Sequence, residues 1–183
     1  PHAEQIAQSA LIGIGMGLLS LAVASLLYPL FKAHSQPLAL FYFALVVAGF
    51  ALTVAENVSV MSMLSLSKAY AEHGAAQEPL YQGLRIVVKE TRNWTHYLSL
   101  IVSGATLFTF YLAMFRFRMI PRLLAGFGLL ACLSQIYAVS MPLFGHAVDF
   151  RLIAPLGILQ IVLGVWLLAK GFRESTGVPR HGL

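Results

Sequence analysis

The chain has 183 residues, of which 58% are apolar and 10% charged, against roughly 45–50% and about 25% in an ordinary soluble domain. One water-soluble globule of this composition would lack the polar surface to cover itself, which excludes an ordinary soluble enzyme, a disordered chain and a disulfide scaffold. Lys and Arg exceed Asp and Glu by 12 to 7, but the basic residues fall between apolar stretches. No basic stripe pairs with stacking aromatics in a soluble module, so no nucleic acid is expected as a partner.

Five stretches reach the length of about 20 apolar residues that a membrane-crossing helix needs. They run from about Ala3 to Phe31, Leu38 to Leu66, Trp94 to Phe115, Pro121 to Met141 and Leu152 to Ala169. Only helices or closed barrels satisfy the backbone in lipid, and these runs show no alternation of period two. The expected fold is therefore all-α, a polytopic membrane helical bundle with five spans in a single transmembrane domain, residues 1–183. Pro37 and Pro121 stand where a first-turn proline fits, and Gly171 and Gly177 follow the fifth span as stop signals. The one long connection runs from Lys68 to Asn93. Its second half, Pro79 to Asn93, reads as a helix that continues into the third span or lies on the membrane surface. The opening residues, Pro1-His2-Ala3-Glu4-Gln5, carry neither a basic segment nor a cleavage box, so no signal peptide is expected there. A chain starting at Pro1 is expected to have lost at least an initiator Met.

Lys and Arg in short loops set orientation. One set of loops holds Lys32, Arg116, Arg118, Arg122, Lys170, Arg173 and Arg180, with Glu174 as its only acid. The opposite set holds Lys68, Arg85, Lys89, Arg92 and Arg151, offset by Glu4, Glu72, Glu78, Glu90 and Asp149. The count favours a cytoplasmic C-terminus and an extracytoplasmic Lys68–Asn93 connection. Gly13 and Gly17, continued by Ser20 and Ala24, read as a helix-contact face, as do Gly126, Gly157 and Gly164. Ser59, Ser62 and Ser65 can return hydrogen bonds to their own helix. Tyr28, Tyr42, Tyr70, Tyr81, Trp94, Tyr97 and Trp166 read as an interfacial belt. The single Cys132 sits in an apolar run and reads as a buried, inert thiol.

An ionisable group inside a span is costly and marks a site to be tested. Glu56 is the clearest, eighteen residues and so roughly 27 Å of helix beyond Leu38. Arg85, Lys89, Arg92 and His96, spaced four, three and four, share one face of a continuous helix. Gln135 and Tyr137 fall in the outer half of the fourth span, Arg151 at the entrance of the fifth, and Gln160 near its middle. The outer half thus collects polar groups that the inner half lacks. The functional reading is a polar ligand-binding pocket. Glu56 is its buried carboxylate, His96 or Arg92 the counter-charge, and Asn57, Asn93, Gln135, Tyr137 and Gln160 the hydrogen-bonding groups. The plainer reading is an ion pair that locks two helices. An unpaired carboxylate in lipid costs several kcal/mol, so a partner is expected either way.

No catalytic residue, cofactor or metal site is identified. A b-type haem would need ligands from facing helices, and only His96 lies in or at a span. HExxH and CxxC spacings are absent. Met61, Met63, Met141, His73, His96 and His146 could suit copper(I), but methionine is also ordinary helix filler.

Phe117-Arg118-Met119-Ile120-Pro121-Arg122-Leu123-Leu124-Ala125-Gly126-Phe127-Gly128, and the stretch from Leu152 through Pro155, Gly157 and Gly164 to Phe172, resemble the bacterial membrane family called domain of unknown function 4386. Glu56 and Asn93-Trp94-Thr95-His96 also resemble positions in that family. The resemblance implies a bacterial inner-membrane bundle, usually of six spans, with the first span missing from this sequence. It carries no activity to transfer. Three functions follow as expectations. The first is a module that binds a small molecule or lipid in an outer-half pocket, or an accessory subunit. The second is a redox, metal or quinone-binding membrane enzyme, and the third a small proton-coupled transporter. Membrane lipids are expected partners, with a homo-oligomer or larger membrane complex as a further expectation.

Overall fold

The computed structural model describes residues 3–73 and 77–172. They form five α-helices: α1 (Ala3–Lys32), α2 (Gln36–His73), α3 (Glu78–Arg116), α4 (Arg122–Ser140) and α5 (Ala154–Lys170). Short 3-10 turns at Met141–Phe144 and Phe150–Leu152 extend α4 and lead into α5, and the described residues contain no strand. Consecutive helices pack on one another. Tyr42 meets Phe110 while Tyr70 meets Tyr81, the ordering that antiparallel neighbours require. Lys32, Arg116, Arg122 and Lys170 therefore share one end of the bundle, the basic end. Arg173, Glu174, Gly177 and Arg180 lie outside the described residues.

All five helices are long and apolar enough to cross a membrane. Large apolar side chains stand open on their outer faces, among them Leu11, Leu18 and Leu26 on α1 and Ile158, Ile161 and Leu168 on α5. Such faces suit lipid, where apolar surface has nothing to hide from. α2 and α3, at 38 and 39 residues, are about 57 and 58 Å long, nearly twice the roughly 30 Å hydrocarbon core. Of the expected long connection at Lys68–Asn93, the second half is helical and continues into the third span, as its sequence predicts, and the first half is helical as far as His73. α2 continues to His73, and α3 starts at Glu78 with a proline in its first turn. Ala, Glu, Leu, Gln, Lys and Arg dominate these segments, and an early-turn proline does not disturb a helix. An edge-to-face contact between Tyr70 and Tyr81, 5.5 Å between ring centroids, ties the two together near the tip.

The tightest packing lies toward the basic end. Phe31, Tyr111, Met114, Met119 and Ile120 are fully buried, and Phe31 packs edge-on against Tyr42. The turn between α3 and α4 drives Met119 and Ile120 inward, with Arg118 in the left-handed region at φ 58°. Pro121 caps α4 from just outside its first turn. Gly171 ends α5 at φ 66°, a backbone conformation that favours glycine.

Small residues let the helices approach. A methyl group on Gly17 would come within 2.6 Å of the Phe50 ring, and one on Gly128 would strike Tyr111. Gly13 faces Asn57 in the same way, so Gly13 and Gly17 do form a contact face. Gly157 and Gly164 meet nothing within 4 Å and do not act as contact positions within this chain. Ser59 and Ser62 return their hydroxyls to Ala55 and Val58 carbonyls on their own helix.

Candidate functional site

Glu56 stands twenty residues into α2, and His96 twenty residues before the end of α3. Both are therefore about 30 Å from the basic end, at the depth where a hydrocarbon core that begins there runs out. Helix geometry brings them together. Arg92 and His96 lie one turn apart on α3, so both face the same point on α2. Arg92 Nη2 lies 3.0 Å and His96 Nδ1 2.9 Å from the same Glu56 oxygen, Oε1. A carboxylate oxygen only accepts, so His96 Nδ1 is the donor and Nε2 is the ring nitrogen left for another partner. The Glu56 side chain is 19% exposed, and those of Arg92 and His96 36% and 38%. The acid is thus largely covered while its two donors, Arg92 and His96, still reach the outside.

Directly toward the basic end from this cluster lies a cavity of about 590 Å³. Its α2 wall is Tyr42, Val46, Gly49 and Thr53, and its α3 wall includes Ser99, Ser103 and Thr106; α1 contributes Gly17 and Ser20, and α5 contributes Gln160. Positions 49, 53 and 56 continue one face of α2, and 92, 96, 99 and 103 one face of α3, by steps of three and four. Cluster and cavity are therefore parts of one seam. The hydroxyls of Ser20, Thr53 and Thr106 donate to carbonyls on their own helices, which leaves their oxygens as acceptors. Aliphatic and aromatic side chains such as Leu100, Leu107 and Phe50 fill the rest of the wall. The lining is thus mostly apolar with a few polar groups, the usual make-up of a small-molecule site.

The other expected site residues distribute unevenly. Gln160 lines the cavity from α5. Asn57 turns aside, donating from Nδ2 to the Thr53 carbonyl at 2.9 Å and filling the notch at Gly13. Asn93 is half-buried next to Arg92, without a hydrogen bond to the cluster. Gln135 is buried in α4, its Oε1 without a hydrogen-bond partner among the described residues, and it is not among the cavity's lining residues. Tyr137, 63% exposed, faces out of the bundle and is no part of the pocket. It stands two residues, about 200° around the helix, from Gln135 on the packed face that also carries Cys132. Arg151 lies in the short turn before α5, where Asp149 is the cap: its Oδ1 accepts from the Arg151 backbone N–H at 3.0 Å. The lining hydroxyls at 20, 53, 99, 103 and 106 were not among the expected site residues. The signal for most of them was present: stepping inward from Glu56 and His96 by three and four reaches Thr53, Ser99, Ser103 and Thr106.

Five membrane-length helices among the described residues and their apolar outer faces define an all-α, multi-pass integral membrane protein. The chain belongs to the family described as Domain of unknown function (DUF4386), whose model matches residues 1–171. It matches no curated protein and no solved structure.

Proposed function

We propose that this protein is a membrane-embedded binding module for a small amphipathic molecule. The head of the ligand sits at Glu56, Arg92 and His96, and its apolar part in the cavity below. The observation that carries this reading is the cavity itself. Its volume of about 590 Å³ falls in the roughly 300–1,000 Å³ range of small-molecule sites, and its lining residues Thr53 and Ser99 stand one helix turn from Glu56 and His96, which do not themselves line it. A helix lock alone would need the ion pair but no space beside it. The Lys and Arg distribution supports a bacterial inner-membrane setting with the basic end cytoplasmic, and so a site that opens in the outer half.

Native mass spectrometry of gently solubilised protein tests the proposal. The wild-type chain should release with a stoichiometric small molecule or lipid. Ser103→Phe, which fills the cavity, should release bare, with a thermal midpoint close to wild type. A bare wild-type mass, or equal retention by Ser103→Phe, would overturn the reading.

A further inference from the structure

A second cavity, of about 370 Å³, lies on the far side of the charge cluster from the first. It is lined by Met63, Ser67 and Tyr70 of α2 and by Tyr81, Gln82 and Arg85 of α3. These positions fall on the same seam. Met63, Ser67 and Tyr70 follow Glu56 by seven, eleven and fourteen residues, and Arg85 precedes Arg92 by seven, all near-whole numbers of helical turns. The α2–α3 pair therefore carries one cavity beyond the expected membrane boundary and one within it, with Glu56, Arg92 and His96 between them. From the tip inward, the α3 face presents Glu78 at its start, then Arg85, Lys89, Arg92 and His96. The facing α2 positions supply one acid, Glu56. Lys89 is 3.9 Å from Glu90, an exposed and loose pair.

We propose that the ligand has an anionic head, a carboxylate or phosphate on a hydrocarbon chain. The head travels inward along the basic face of α3 and comes to rest on Arg92 and His96. This rests on the reading of the inner cavity as an amphiphile site. Three features select the charge. The seam carries Arg85 in the outer cavity and Arg92 at the cluster against one carboxylate, Glu56, while Lys89 is loosely paired with Glu90, and this excess of positive charge attracts anions and repels cationic heads. Arg92 has five N–H donors, and Glu56 takes up only one side of its guanidinium, so the rest can hold a second anion. His96 Nε2 faces no partner among the described residues and supplies a second donor when the ring carries both protons. Glu56 then acts as the fixed anion that keeps both cations aimed into the seam.

The test compares amphiphiles that differ in head charge. Protein in non-ionic detergent is titrated with oleate and with oleyl alcohol, and separately with phosphatidylglycerol and phosphatidylcholine of matched chains, and read by native mass spectrometry. Oleate should bind at least ten times more tightly than oleyl alcohol, or phosphatidylglycerol than phosphatidylcholine. The pair that shows the preference identifies a free fatty acid or a phospholipid as the source. Arg92→Gln should erase the preference, while Arg92→Lys should retain most of it. Arg85→Gln, at an exposed position distant from the cluster, should slow oleate association at low salt only. Equal binding of charged and neutral heads, or a preference that survives Arg92→Gln, overturns the anionic assignment and leaves the binding module standing. Failure of every amphiphile to bind overturns both.

Discussion

Glu56→Gln isolates the charge of the cluster from its shape, because the amide keeps an oxygen where Oε1 stands. Hydrogen bonds to charged groups contribute about 1.5–3 kcal/mol and neutral ones about 0.5–1.5 kcal/mol. Removing the charge should therefore weaken each of the two bonds by about 1 kcal/mol, or about 2 kcal/mol together. Exposure sets the ceiling. Breaking a fully buried pair costs about 3–5 kcal/mol, but Arg92 and His96 are more than a third exposed and regain water, which keeps the loss below that. The assay is unfolding in mixed micelles by dodecyl sulfate titration, followed by far-ultraviolet circular dichroism, on wild type, Glu56→Gln, His96→Ala and the double variant. Because both donors share one oxygen, the double variant should lose less than the two single losses added, with a coupling of about 1 kcal/mol. Additivity within about 0.3 kcal/mol would refute the claim that Glu56 and His96 act as a pair.

Gly128→Ala should destabilise by about 1–3 kcal/mol, since its new methyl strikes Tyr111, which is fully buried and cannot yield. Gly164→Ala, with nothing within 4 Å, should be neutral or gain up to about 1 kcal/mol from helix propensity; equal losses in the two melts would contradict the α3–α4 packing. Cys132 is fully buried, so maleimide should modify it only after denaturation, and rapid labelling of the folded protein would place α4 wrongly. In a Cys132→Ala background, an impermeant thiol reagent should label Gln77→Cys in intact cells and Lys170→Cys only after lysis. Labelling of both from outside would break the odd number of crossings between them.

The long-range geometry was legible wherever one helix dominates. Glu56 declared itself because a carboxylate in an apolar run has few tolerable explanations. The Arg85, Lys89, Arg92 and His96 spacing placed four side chains on one face before any fold was known. The α1–α2 contact at Gly13 and Gly17 was readable from the small-residue spacing. Other features depend on two helices at once. The Lys68–Asn93 segment reads as a connection by hydropathy, since its charges end the apolar window; its second half is legible as a helix, whereas the extension of α2 to His73 is not, although those residues favour helix in water as in lipid. Tyr137 and Gln135 sit two apart on α4, about 200° around the helix, so depth alone could not tell that one would be buried and the other exposed. Gly157 and Gly164 resemble Gly17 in sequence but have no neighbour to receive.

The bundle divides along its axis, and the division follows from the side chains available. Toward the basic end, Phe31, Phe110, Tyr111 and Met114 are large enough to close the space between α1, α2, α3 and α4. Past Tyr42 the seam-facing residues become Gly49, Thr53, Ser99 and Ser103, which are too small to meet across it, and the cavity follows. A polar cluster placed among the aromatics would be desolvated on every side and would bear the full burial penalty. Placed one turn beyond the small residues, Glu56 is covered by its two partners while Arg92 and His96 stay more than a third exposed. Space and charge are therefore neighbours along the seam, which is the ground on which we propose the pocket and the ion pair as a single site.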